Sequence, residues 1–212
     1  MEEFFTIKDN VTTEIVEKKS KFIASLFYIN SQKDAEETIK TIRKKYHDAR
    51  HNCIAYRVIE NGKIIEKSSD DGEPSGTAGA PMLDILRNNE LCNILIVVTR
   101  YFGGILLGTG GLVRAYSEAT LNAINISRKI CMTKGIEMQV DIEYNNLEIF
   151  KYYCKNNNIN ITNIEYLDVV ICKIELENNK KDKMIEYAVS KDINTENIKV
   201  LCEKYINKSV EK

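Results

Sequence analysis

The sequence has almost no net charge to offer a partner. Its 30 Lys and Arg face 31 Asp and Glu, for a formal net charge of −1. That excludes a chain that binds nucleic acid as a polycation and leaves only local patches for phosphate. It also lacks a long apolar run. Stretches such as ILIVV (Ile94–Val98) are far too short to cross a bilayer, so no membrane association is expected. The opening residues, MEEFF, lack the cationic region and apolar core of a secretion signal, which predicts a cytoplasmic protein. No CxxC pair occurs among the six cysteines, Cys53, Cys92, Cys131, Cys154, Cys172 and Cys202. That argues against a zinc ribbon or a thioredoxin-like dithiol and predicts free thiols.

Glycine is scarce as well, yet five of the ten fall within nine positions. Gly103, Gly104, Gly108, Gly110 and Gly111 lie in RYFGGILLGTGGLVRAY (Arg100–Tyr116). Ordering glycine is entropically costly, so the cluster needs a geometric reason, a sharp turn or a close approach to the backbone. A strand, a glycine loop and a helix form the geometry that presents N–H groups to an anion. Two specific motifs fail. Gly103 and Gly108 have Walker A spacing, but Thr109 stands where the lysine must be; Gly108-Thr109-Gly110 opens a dinucleotide fingerprint, but Val113 occupies its last glycine position. Two readings stay open. Arg100, ending a buried strand, and Arg114, in the first helical turn, could fork around an anion with the loop amides. Alternatively, both could pair with acids of the chain, and the glycines would serve packing alone.

The counterpart loop, DDGEPSGTAGAP (Asp70–Pro81), supplies the carboxylates Asp70, Asp71 and Glu73 and the hydroxyls of Ser75 and Thr77. Asp71 or Glu73 could tie down the arginines and make one rigid platform. The same acids could hold Mg²⁺ or serve acid/base hydrolysis, though the spacing is not that of an EF-hand. His51 and Cys53 share a strand face. A core cysteine beside a surface histidine explains them better than a nucleophile and its base, since no third orienting group is evident. The most basic stretch, RKKYHDARH (Arg43–His51), could join Lys18, Lys19 and Lys21 in a modest phosphate-binding surface.

The pattern predicts an α/β chain of two domains, residues 1–133 and 134–212. Residues 1–134 carry 19 Lys and Arg against 17 Asp and Glu, net +2; residues 135–212 carry 11 against 14, net −3. Strands are expected at TEIVEK, KFIASLFYI, NCIAYRVIE, KIIEKSS and NILIVVT, with Asn61-Gly62 as a hairpin turn. Helices are expected from Ser31 to about Tyr46, over MLDILRNN, and from about Gly111 to Asn125. The second half reads βαββαβ, the ferredoxin-like order.

Four stretches, SKFIA (Ser20–Ala24), HNCIAY (His51–Tyr56), DGEPSGTAGAP (Asp71–Pro81) and VVTRYFGGILLGTGGLVRAY (Val97–Tyr116), together resemble the IMPACT/YigZ family, the bacterial branch with a ferredoxin-like tail. The resemblance implies a first domain like the second domain of a small-subunit ribosomal protein. It implies a second domain similar to the C-terminal domains of elongation factor G. Eukaryotic relatives regulate translation, largely through an extra N-terminal module absent here, so the expectation is a non-catalytic, translation-associated protein that binds RNA or the ribosome. Arg100, Gly103, Gly104, Gly108, Gly110, Gly111, Arg114, Lys21 and His51 would carry that contact, with Asp71, Glu73, Ser75, Thr77 and Tyr101 supporting them. No cofactor or metal is expected. The acidic second domain could dock a protein. The alternative is a hydrolase or transferase acting through Asp71 and Glu73 on a small phosphorylated or peptide-like substrate, with or without a divalent metal.

Overall fold

The structure, a computed structural model, describes residues 2–191, 193 and 197–208. The chain divides into two compact units, Glu3–Ile130 and Cys131–Lys212.

The first unit runs β1 (Glu3–Ile7), β2 (Val11–Glu17), β3 (Ser20–Tyr28), α1 (Gln32–Lys45), β4 (His51–Glu60), β5 (Lys63–Ser69), α2 (Gly79–Asn88), β6 (Ile94–Tyr101) and α3 (Gly108–Ile126). Its sheet has the order β2-β3-β6-β4-β5, antiparallel at every step. β6 lies at the centre, covered on both faces, which is why its sequence is an unbroken apolar run rather than an alternation. Leu95 and Val97 face α1, where they meet Ala35, Ile39 and Ile42. Ile94, Ile96 and Val98 face the other way and pack with Phe22, Ala24, Met82, Leu86, Ala115 and Tyr116 on β3, α2 and α3. Side-chain alternation along the strand therefore serves two cores at once.

Local chemistry sets the element ends. Ser31 caps α1, its hydroxyl accepting from the Asp34 amide at 3.0 Å, and Arg43, Lys44 and Lys45 close the last turn, where cations oppose the helix dipole favourably. Asn61 and Gly62 take φ of 51° and 73°, the left-handed pair that a two-residue hairpin requires. The β2–β3 hairpin uses the same geometry at Lys18 and Lys19, φ 45° and 64°.

The second unit is built from β7 (Lys129–Ile142), a short 3₁₀ turn, α4 (Leu147–Asn156), β8 (Asn160–Tyr166), β9 (Val170–Glu177), α5 (Lys181–Val189) and β10 (Ile198–Asn207). The four strands lie side by side as β10-β7-β9-β8, all antiparallel. This is the ferredoxin-like arrangement expected from the βαββαβ order. β9 alternates buried and half-buried residues without a break, and its inward Val170, Cys172, Ile174 and Leu176 pack with Phe150, Cys154, Met184 and Ala188 of the two helices.

Two elements differ from the expectation. β1 is unannounced in EFFTI because its partners lie far away in sequence: the Phe5 amide donates to Glu90 O and the Cys92 amide to Phe5 O, in the α2–β6 connection. α3 begins at Gly108 rather than near Gly111, so three of the five clustered glycines form its first turn. Removing the α1 cap by Ser31→Ala should lower stability by about 0.5–2 kcal/mol, read as a lower urea midpoint with an unchanged slope.

Candidate functional site

Arg100, the penultimate residue of β6, turns inward. It is 6% exposed, and its Nη1 donates to Glu73 Oε1 at 2.7 Å. Glu73 is also buried, and the same oxygen accepts from the Tyr116 hydroxyl at 2.8 Å. Arg100 Nη2 reaches Ser20 Oγ at 3.4 Å, and that oxygen accepts from the Gly103 amide at 3.2 Å. The guanidinium carbon lies 5.4 Å from the Phe22 ring centroid and 5.6 Å from that of Phe102. Among the described residues, Nε of Arg100 is buried without a partner. Four segments far apart in sequence thus meet on one ion pair: the acidic loop, β6, α3 and the start of β3.

Arg100 was expected to offer its guanidinium to phosphate. The structure corrects this, because the group is inside and held by Glu73, as the reading in which the arginine pairs with an acid of the chain foresees. Burial, followed by the neighbouring Cys53 thiol and Glu73 carboxylate, raises the Tyr116 hydroxyl above its ordinary value, so it donates and stays neutral. Burial likewise pushes the Cys53 thiol up to about 12. It donates to Asp70 O at 3.0 Å and stays a thiol at neutral pH.

Each carboxylate of the acidic loop has its own task. Asp70 Oδ1 accepts from the Ala78 and Gly79 amides at 3.0 and 2.8 Å, and Oδ2 from Gly76 at 2.9 Å. These bonds anchor the loop at the start of α2. Burial works to raise the Asp70 pKa, but the Gly76, Gly79 and Ala78 amides outweigh it and hold it below the ordinary value. Asp71 Oδ1 takes Arg43 at 2.7 Å and Oδ2 the Asn52 amide at 2.7 Å, while its carbonyl lies 2.9 Å from His51 Nδ1. Thr77 is buried and donates to Pro74 O at 2.7 Å; Ser75 is exposed. The Tyr101 hydroxyl donates to Asp48 at 2.7 Å, a bond that leads in pushing its pKa to about 12. Among the described residues no three His, Cys, Asp or Glu side chains gather into a metal-binding group.

The glycine loop is set by contact with the β2–β3 turn. A Cβ on Gly103 would sit 2.0 Å from the Lys19 carbonyl carbon, so no other residue fits there without moving the backbone. Gly104 and Gly108 have φ of 85° and 72°. In the first turn of α3, Gly108, Thr109 and Gly110 are exposed and Gly111 is half-buried. Leu107, at the N-cap of α3, supplies no side-chain cap, so no side chain of the cap residue occupies the first-turn amides. Arg114 is exposed and without an ion pair among the described residues. It lines a small cleft of about 140 Å³ with Lys18, Leu107, Gly111, Ala115, Glu17 and Glu118. Lys21, one step along the hairpin, pairs with Glu14 at 2.6 Å. The structure therefore brings Arg114 to the Lys18 turn, but leaves Arg100 and His51 engaged in the scaffold. Sequence reasoning missed Tyr116 as the second donor to Glu73, because its position in the α3 pattern reads simply as core.

The architecture defines a two-unit α/β protein whose glycine-rich loop is braced from below by a buried ion pair. The Impact N-terminal domain family matches residues 18–124. The IMPACT family member YvyE of Bacillus subtilis is 48% identical over 122 residues, 58% of this chain and 56% of that protein. YigZ of Escherichia coli, another member, is 36% identical over 163 residues, 75% of this chain and 78% of that protein. A solved crystal structure of a hypothetical protein covers 95% of this chain and 98% of its own, at 32% identity and a TM-score of 0.64. This chain belongs to the IMPACT family.

Glu73→Gln leaves the Arg100 charge buried and uncompensated, and should cost about 3–5 kcal/mol in chemical denaturation. Arg100→Met with Glu73→Leu should recover most of that loss, and Tyr116→Phe alone should cost about 1.5–3 kcal/mol. Asp70→Ala should weaken the protein at neutral pH. Because the folded carboxyl is held below its ordinary value, its contribution is intact above about pH 4 and is lost as pH falls through that lower value, so the difference from the parent should close only in acid.

Proposed function

We propose that this chain is a non-catalytic, translation-associated protein that binds RNA, free or in the ribosome, through the Lys18–Lys19 turn, Arg114 and the first-turn amides of α3. The observation that carries the reading is the backbone at the turn. Lys18 and Lys19 both take left-handed φ, which costs a side-chain-bearing residue about 1–2 kcal/mol. The chain's other two-residue hairpin uses Asn61-Gly62, the sequence that relieves this cost. Keeping two exposed lysines, unpaired among the described residues, at such a tip is a strain with a use, namely the display of two ammonium groups at the turn that meets Arg114.

The dimensions favour a phosphate backbone over a small substrate. The cleft is about 140 Å³, below the roughly 300–1,000 Å³ typical of small-molecule pockets. The carboxylates a hydrolase would need are occupied: Glu73 is buried on Arg100 and Tyr116, and both oxygens of Asp71 are engaged. Glu17 and Glu118 share the cleft with Lys18 and Arg114, so Lys19 tips the local balance to positive. Lys21 adds an ammonium further along the hairpin. The translational setting comes from the family resemblance, whose eukaryotic members regulate translation.

Replacing the tip by Lys18→Asn with Lys19→Gly should raise thermal stability while weakening binding to labelled single-stranded RNA. The logarithmic salt slope should fall by about 0.7 for each lost phosphate contact. Arg114→Ala should lower it by about one contact in the same titration. Unchanged slopes in both variants would exclude this surface.

A further inference from the structure

Phe102 stands at the mouth of the glycine loop with half its surface exposed, 50%. One face of its ring is occupied, since the Arg100 guanidinium lies 5.6 Å from the centroid, itself backed by Phe22 at 5.4 Å. Glu73 holds that guanidinium in place. The next residue is equally fixed: Gly103 presses on the Lys19 backbone and donates to Ser20 Oγ. The ring is therefore held from behind by a cation and at its base by the backbone, with the rest of its surface open to solvent. A preorganised aromatic face of this kind loses little entropy when something stacks on it.

We infer that Phe102 is a stacking platform for an unpaired base, and that the ligand is single-stranded RNA or a base extruded from a loop. The inference rests on the RNA reading above and narrows it. In a duplex the base faces are stacked on one another and closed to a side chain, whereas an unpaired base offers its π-face to an aromatic ring. The neighbouring groups suit the rest of the nucleotide. The backbone of Lys19 lies against Gly103, and the neighbouring Lys18 shares a cleft with Arg114, so a strand whose base lies on Phe102 has the cations of this cleft near at hand for its phosphates. Ile105 and Leu106, 43% and 82% exposed, extend the apolar contact beyond the ring. A protein partner covering this ring would have to desolvate the adjacent ammonium groups and first-turn amides, which a phosphate satisfies instead.

The test uses the full chain, a labelled oligoadenylate, and the same strand annealed to its complement, followed by fluorescence anisotropy. The single strand should bind more tightly than the duplex. Phe102→Ala should weaken single-strand binding by about five- to a hundred-fold while leaving the salt slope unchanged, since no phosphate contact is lost. Phe102→Trp should retain affinity. The chain has no tryptophan, so the fluorescence of that variant reports directly, and it should be quenched by the single strand and not by the duplex. Wild-type affinity in Phe102→Ala, with Arg114→Ala still impaired, would overturn the stacking role and leave RNA binding standing. If neither strand nor duplex binds, the RNA reading falls and the inference with it.

Discussion

The first unit depends on a charged pair that water does not reach. Removing Arg100 and Glu73 from solvent costs several kcal/mol per ion, and their attraction repays it only with good geometry and additional hydrogen bonds. Both conditions hold: the pair is 2.7 Å apart with side chains 7% and 3% exposed, and Tyr116 and Ser20 supply the extra partners. Two apolar residues of similar volume could fill this space. What they could not do is fix direction. A carboxylate and a guanidinium meet in few orientations, so the acidic loop, the end of β6 and the body of α3 have one mutual arrangement. The glycine loop starts two residues after Arg100 and inherits that rigidity.

Seen from this pair, the two unusual loops are halves of one device. The acidic loop works inward: Asp70 on backbone amides, Asp71 on Arg43 and Asn52, Glu73 on the ion pair. The glycine loop works outward, leaving first-turn amides, Phe102 and Arg114 at the surface. Sequence motifs dense in carboxylates invite a catalytic reading. Here the same residues are bonded to groups within the fold.

Legibility differed by the range of the forces involved. Ser31 as a cap, Asn61-Gly62 as a turn, the apolar run of β6 and the alternation in β9 are local signals, and each was readable because a single element decides it. The βαββαβ order of the second half was readable for the same reason. The start of α3 was not, since glycines discourage a helix locally and only packing against β2 and β3 imposes one. Nor was the fate of Arg100: nothing adjacent in sequence says whether a strand-end arginine points to solvent or to a carboxylate 27 positions away. The glycine cluster was legible as a need for close approach, but its neighbour, the Lys19 backbone, was not, because that contact spans more than eighty residues of chain.

The central position of β6 has a consequence for how the chain comes into being. β3 and β4, which flank it, are both made earlier, and each closes its own hairpin with a sequence neighbour, β2 or β5. Neither hairpin can join the other until residues 94–101 have left the ribosomal tunnel, since all their mutual bonding runs through that strand. Assembly therefore waits on long-range closure, the slow kind. The most apolar segment of the protein is thus also the last of its sheet to emerge, and until it closes between β3 and β4 it is the strand most exposed to aggregation.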